Sequence, residues 1–174
     1  MYIAEEMERG LGNVPSAGGE FFTEGTKPPF GNLREWTKAL AQLPLVAQPG
    51  TVWNYSVGMD VLGALIEEVS GMTFGEFLEE RIFSPLGMED TGFIVPEEKL
   101  NRFAANYSPT PDNMMLMDDP EKSGYRTPPQ LESGGGGLVS TVGDYLKFAQ
   151  MLLNRGEYQG KRYLGKKTVK FMTA

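Results

Sequence analysis

A tyrosine stands at the start of the stretch with the clearest helical pattern, PGTVWNYSVGMDVLGALIEEVSG at residues 49–71. The turn signal Pro49-Gly50 precedes it, and apolar residues then recur at three- to four-residue spacing. Two interpretations of Tyr55 are open. It is either a core aromatic on the first helical turn, or a phenol that a lysine ammonium and the positive end of the helix activate to take a proton from a serine hydroxyl.

The chain has neither histidine nor cysteine in its 174 residues. A Ser-His-Asp triad, a thiol nucleophile, a disulfide framework and a conventional zinc site are therefore excluded within this chain. Acid–base chemistry near neutral pH must use Tyr, Lys, Asp or Glu. We expect no metal and no cofactor.

Four consecutive glycines, at residues 134–137, form a second candidate site. A phosphate cradle is one interpretation, but no Gly-Lys-Ser or Gly-Lys-Thr follows, and no Gly-x-Gly-x-x-Gly begins a βαβ unit. The favoured alternative is a segment whose backbone must pass close to a ligand or to another strand.

Two further stretches have weaker chemical interpretations. The acidic residues 118–121 lack the alternating oxygen ligands of an EF-hand loop, so a solvated turn is favoured over calcium binding. The methionines Met114, Met115 and Met117 either fill gaps in packing or bind an apolar ligand, and the first is the commoner role.

Composition limits the class of protein. With 40% hydrophobic and 22% charged residues, the chain is typical of one soluble globular domain. The net charge is −7, and no basic cluster exceeds Lys166, Lys167 and Lys170, so nucleic acid is not an expected partner. No run approaches the roughly 20 apolar residues that cross a membrane, so no membrane partner is expected. The compartment stays open, with the cytoplasm slightly favoured.

The elements that must position these residues are mainly helices with long loops. We expect a single domain or fragment over residues 1–174: an irregular segment at 1–31, a helical part at 32–104, a long loop at 105–132, and a Gly-rich turn with helices at 133–174. Helices are predicted at residues 3–9, 33–42, 55–70, 73–83, 96–104, 141–154 and 166–172, and a tight hairpin at 157–164. Leu146, Ala149, Leu152 and Leu153 are expected to face the core.

Taken together, the stretches at 49–93, 132–156 and 163–174 resemble the serine hydrolases of the class C β-lactamase type, which include family VIII carboxylesterases and D-amino-acid peptidases. The resemblance covers residues 33–174. It implies that Tyr55 is the general base or acid beside a nucleophilic serine. The family's Tyr-x-Asn signature here ends in Val57, which favours the esterase branch.

The resemblance also implies a substrate site. Gly134, Gly135, Gly136 and Val57 would lie near a small ester or amide substrate, and the loops at 14–30 and 106–132 would shape its acyl pocket. β-Lactamase and D-amino-acid peptidase remain the alternative activities.

Two motifs of the family are missing. None of the eight serines has lysine three residues later, so the Ser-x-x-Lys nucleophile motif is absent. Lys167-Thr168 is followed by Val169, so the Lys-Thr-Gly strand is absent too. We therefore expect the helical domain and adjoining segments of an α/β fold whose central sheet is largely missing, inactive alone.

Two alternatives differ in class from this interpretation. One is a non-catalytic binding module that self-associates or joins a complementary fragment. The other, ranked last, is an atypical nucleophile, Ser56 or Ser133, acting with Tyr55.

Overall fold

The computed structural model describes residues 31–42, 45, 47–53, 55 and 57–174. The predicted helix at 3–9 and the loop at 14–30 lie outside these residues. Two compact units are present. Unit 1 contains the described residues up to Phe74 together with Thr127–Leu138, and unit 2 contains Gly75–Arg126 and Val139–Ala174. The assignment of residues 1–174 to a single domain stays a prediction.

Unit 1 contains two helices, α1 at Leu33–Leu40 and α2 at Gly58–Ser70. Asn32 caps α1, because Asn32 Oδ1 accepts the Glu35 N–H at 2.9 Å. Helix α2 ends at Gly71, whose φ of 72° is the left-handed conformation that a glycine adopts without steric cost.

The two helices pack through a glycine. Leu33 and Trp36 of α1 are buried, and a Cβ added at Gly63 of α2 would stand 3.1 Å from Leu33 Cδ1. A larger residue at this position would force the helices apart. The apolar residues of the predicted pattern do not all face this contact, because Leu62 and Val69 are 48% and 79% exposed.

A continuous helical stretch begins at the boundary of the units and enters unit 2. It comprises α3 at Phe74–Leu78, a π-helical turn at Glu79–Phe83 and α4 at Ser84–Leu86. The predicted helix at 73–83 is thus confirmed. The core of unit 2 is a cluster of the buried residues Phe83, Leu86, Met88 and Met151.

Helix α5, at Val142–Leu153, is held by a buried carboxylate. Asp144 accepts the backbone N–H of Asp90 at 2.7 Å and the hydroxyl of Thr91 at 3.1 Å. Thr91 and Ser140 share a second hydrogen bond of 2.8 Å between their hydroxyls. These bonds join the start of α5 to residues some 50 positions earlier.

The face of α5 differs from the prediction. Leu146 and Leu153 were expected to face the core, but they are 63% and 77% exposed. Met151 is the buried apolar residue of this helix. Asp144 and Met151 lie seven residues apart on the buried face of the helix, and Leu152 packs against the core beside it, whereas Leu146 and Leu153 lie on the other side.

The long loop predicted at 105–132 needs a second correction. It contains the antiparallel hairpin of β1, Asn106–Pro109, and β2, Met114–Asp118, followed by a 3₁₀ turn at Gly124–Arg126. Every residue of both strands is exposed or half-buried. A strand without a buried face lacks the alternation of apolar and polar residues by which strands are recognised.

The remaining elements follow the sequence closely. The helix predicted at 96–104 is a 3₁₀ helix at Glu97–Arg102. The hairpin is confirmed as β3, Glu157–Tyr158, and β4, Lys161–Arg162, and the last helix as α6, Lys166–Met172. In the described part of the chain, no helix is long and apolar enough to span a membrane. The chain is mainly α, as predicted.

Candidate functional site

Tyr55 lies just before helix α2, which begins three residues later, at Gly58. Its side chain is 87% exposed, and Trp53 is 84% exposed. The two rings lie 6.5 Å apart between centroids, at 51° to each other. The core-packing interpretation of Tyr55 is therefore wrong, and its phenol is open to a ligand. Its catalytic role stays a prediction.

The backbone of Val57 starts α2. The Val57 carbonyl accepts the N–H groups of Asp60 and Val61 at 3.1 and 3.2 Å. No side chain caps this end, but the carboxylate of Asp60 lies in the first turn, where the positive end of the helix macrodipole favours negative charge.

The four-glycine segment lies against this end of α2. A Cβ added at Gly134 would stand 2.8 Å from the carbonyl carbon of Met59 and closer still to its oxygen. Glycine is therefore required at residue 134 by a close backbone approach, although to helix α2 and not to the ligand or strand that the sequence predicted. At Gly136, by contrast, an added Cβ would meet nothing within 4 Å.

A buried hydrogen bond fixes this arrangement. Ser133 Oγ donates to Asp60 Oδ1 at 2.6 Å and accepts the Gly135 N–H at 3.1 Å. Asp60 is 2% exposed and Ser133 is 5% exposed. The hydroxyl of Ser133 is thus enclosed and already bonded, which weighs against Ser133 as a nucleophile.

The same segment brings a second carboxylate near α2. Burial raises the pKa of Glu67, and the nearby charge of Glu132 raises it further. The Phe74 N–H, which donates to Glu67 Oε1 at 3.1 Å, partly offsets the effect. Residues 132–135 therefore follow α2 over more than one turn.

Some of the predicted site residues of unit 1 lie near the start of α2. Gly134 lies against the Met59 carbonyl, which is two residues after Val57 and four after Tyr55, a reach of at most about 14 Å along the chain. The sequence did not predict Asp60 as a site residue. The available signal was a single acidic residue in the first turn of a helix that has no other polar side chain before Glu67.

Unit 2 contains a separate small cleft of about 90 Å³, lined by apolar, hydroxyl and charged side chains. At its rim, Arg102 donates two hydrogen bonds to the Asp90 carboxylate, at 2.7 and 3.0 Å, and Lys99 pairs with it at 2.9 Å. These two cations, Arg102 foremost, hold the pKa of Asp90 well below its usual range. Among the described residues, no group of three or more acidic side chains is placed to hold a metal ion.

Comparison with known proteins places this arrangement in a family. The family described as Beta-lactamase matches residues 13–173, nearly the whole chain. The chain belongs to the Beta-lactamase family. The resemblance inferred from the motifs around Tyr55 and the glycine run is therefore confirmed at the level of the family.

Two curated relatives are similar in sequence to this chain. Protein Rv1367c of Mycobacterium tuberculosis is 39% identical over 145 residues, which cover 83% of this chain and 36% of that protein. Esterase EstB of Burkholderia gladioli is 32% identical over 131 residues, which cover 67% of this chain and 33% of EstB. The chain spans about a third of the length of the curated relatives it matches.

Solved structures agree on the fold. EstCE1, described as a hydrolase with promiscuous acyltransferase activity, has a TM-score of 0.68 at 29% identity, covering 81% of this chain and 39% of EstCE1. The octameric penicillin-binding protein homologue of Pyrococcus abyssi has a TM-score of 0.63 at 26% identity, covering 90% of this chain and 32% of that chain. The family of hydrolases with esterase relatives, and the β-lactamase and penicillin-binding-protein fold, are thereby shown.

Proposed function

We propose that this chain is part of a serine hydrolase that cleaves small carboxylic esters through an acyl-enzyme, with Tyr55 as the general base. The observation that carries the proposal is the exposed phenol at the start of α2, with the glycine segment packed on the same helical turn. Val57 and the esterase relatives favour esters over β-lactams or D-amino-acid peptides.

In this proposed mechanism Tyr55 carries the proton between the serine nucleophile and the leaving alcohol. The phenolate of Tyr55 takes the proton of a serine hydroxyl while the serine oxygen attacks the ester carbonyl. The resulting phenol of Tyr55 then gives that proton to the leaving alcohol. Water then hydrolyses the acyl-serine by the same exchange. Val57, Gly134, Gly135 and Gly136 would contact the substrate.

The nucleophile in this proposal comes from a Ser-x-x-Lys motif, which these 174 residues do not contain. The chain alone should therefore hydrolyse p-nitrophenyl butyrate no faster than buffer does. Turnover that disappears in Tyr55→Phe would overturn this part, because it would place a nucleophile among the eight serines of the chain.

The positive test uses a chimera. The segment of EstB that matches this chain is replaced by the corresponding residues of this chain, so that EstB supplies the rest of the enzyme. We expect hydrolysis of p-nitrophenyl butyrate that falls by at least about 100-fold in Tyr55→Phe. A folded chimera whose activity does not change in Tyr55→Phe would refute the role of Tyr55.

A second candidate function, self-association, rests on a different observation. The apolar side chains of Leu62, Leu65 and Val69 on α2 are 48%, 55% and 79% exposed, and contiguous exposed apolar patches often mark interfaces. The octameric homologue shows that a protein of this fold can assemble. Sedimentation velocity over a concentration series tests this. A Val69→Lys variant should shift a wild-type oligomer towards monomer, and a monomer at every concentration would contradict the proposal.

A further inference from the structure

We propose that Asp60 and Ser133 are positioning residues, whose hydrogen bond sets the distance between the glycine segment at 134–136 and Tyr55. The inference rests on the proposed function, because it concerns how the two sides of that site are held together. Neither residue is expected to touch the substrate.

The geometry gives the pair its role. The two residues are 73 positions apart, and their hydrogen bond of 2.6 Å is buried. The same Ser133 oxygen accepts the Gly135 N–H, so one hydroxyl joins α2 to the backbone of the glycine segment. A Cβ at Gly135 would stand 3.2 Å from Asp60 Oδ2, so the segment already lies in contact with the carboxylate.

The burial of an acidic side chain at Asp60 supports a role for the pair beyond packing. None of the ion pairs formed by the described residues includes Asp60, although its side chain is almost completely buried. Burying a carboxylate costs free energy that an apolar pair of the same shape would not cost. The directional hydrogen bond to Ser133 fixes the position of the glycine segment along α2, whereas apolar packing would let the segment slide along the helix.

The path from the pair to Tyr55 is short. The Asp60 N–H donates to the carbonyl of Val57, two residues after Tyr55. On the other side, Gly136 follows Gly135, whose N–H donates to Ser133 Oγ. A Cβ added at Gly136 would face open space. A shift of about 1 Å between such groups lowers the rate of a reaction by roughly 100-fold.

The first test is nuclear magnetic resonance on the whole chain, which needs no turnover. We expect Ser133→Ala to move the ring resonances of Tyr55 and the amide resonance of Gly136, and to speed exchange of the Gly135 amide roughly tenfold. The matched control is Asn32→Ala, which removes the cap of α1 in the same unit and should leave the Tyr55 resonances in place.

Each outcome of this test is informative. Unchanged Tyr55 and Gly136 resonances in folded Ser133→Ala would show that the bond only stabilises the fold, and would overturn the inference. If Ser133→Ala does not fold, Asp60→Ala, which removes the oxygen that accepts the Ser133 hydroxyl, is measured in its place under the same criterion.

A second test uses the EstB chimera. There, Ser133→Ala should lower kcat by about 10- to 100-fold, and Ser133→Thr, which keeps the hydroxyl, should recover most of the loss. Equal kcat values for the three proteins would overturn the inference. An inactive parent chimera would instead contradict the proposed function, and the resonance test would still decide the role of the pair.

Discussion

Replacement of Gly134 by alanine places a methyl group where the backbone of α2 already stands. The added carbon would lie 2.8 Å from the carbonyl carbon of Met59, whereas carbon atoms in favourable contact are about 3.5–4.0 Å apart. The obstacle is helical backbone rather than the mobile end of a side chain. The glycine segment must therefore move away by about 0.7 Å or more.

The expected loss of stability follows from two opposing effects. Overpacking of this kind costs about 1–3 kcal/mol. Alanine restricts the unfolded chain more than glycine does, which offsets about 0.4–1 kcal/mol. We expect Gly134→Ala to lower the free energy of unfolding by about 1–2 kcal/mol.

Gly136 offers a matched control two residues away. Its Cβ position meets nothing within 4 Å, so Gly136→Ala keeps only the effect on the unfolded chain. It should raise the free energy of unfolding by about 0.4–1 kcal/mol. The two substitutions, identical in chemistry, should thus differ by about 2 kcal/mol and in opposite directions.

The assay is urea unfolding followed by tryptophan fluorescence. The chain has two tryptophans, and Trp36 is buried while Trp53 is 84% exposed, so the change in emission mainly reports Trp36 in unit 1. With a slope of about 2 kcal/mol per M, the midpoints of the two variants should be separated by roughly 1 M urea. Equal midpoints, or a higher midpoint for Gly134→Ala, would refute the close approach of the glycine segment to α2.

Two further predictions concern unit 2. Thr141 Oγ1 accepts the Asp144 N–H at 3.2 Å, so Thr141→Ala should lower the free energy of unfolding by about 1 kcal/mol. Thr141→Ser is the control, because serine keeps the cap. Equal urea midpoints for the alanine and serine variants would contradict this prediction. Arg102 and Lys99 lower the pKa of Asp90 in the folded chain. The ionised Asp90 carboxylate therefore contributes fully to the free energy of unfolding above about pH 5, and this contribution is lost as the pH falls below about 4. The drop in urea midpoint between pH 5 and pH 2.5 should be smaller in Asp90→Asn, and an identical drop would show that the ion pairs contribute nothing.

Much of the local structure was predictable because its signals are local. The Asn32 cap, the Gly71 stop and the Thr141 cap mark helix ends through contacts within a few residues, and all three are present. The motif around Tyr55 likewise indicates the family, because its residues follow one another along the chain. The hairpin β1–β2 was missed because neither strand has a buried face, and the apolar run of β2 does not alternate with polar residues.

The orientation of the helices was not predictable in the same way. A period of 3.6 residues shows that a helix is amphipathic, but it does not show which neighbour takes the apolar face. In α5 the buried face contains Asp144 and Met151, and Leu146 and Leu153 remain exposed. Only the folded chain brings the partners of Asp144, near residue 90, to this helix.

By itself, the sequence determined which stretches form most of the described helices, with ends that differ by up to three residues, and that this chain contributes no histidine or cysteine. It placed Tyr55 on the first turn of α2, whereas in the structure the helix begins at Gly58. The tertiary structure decided that the phenol of Tyr55 is exposed and that Ser133 meets Asp60. The reason lies in the range of the interactions. A cap joins neighbours and leaves a pattern in the sequence, whereas a bond across 73 residues leaves no local pattern, because it depends on how the whole of unit 1 folds.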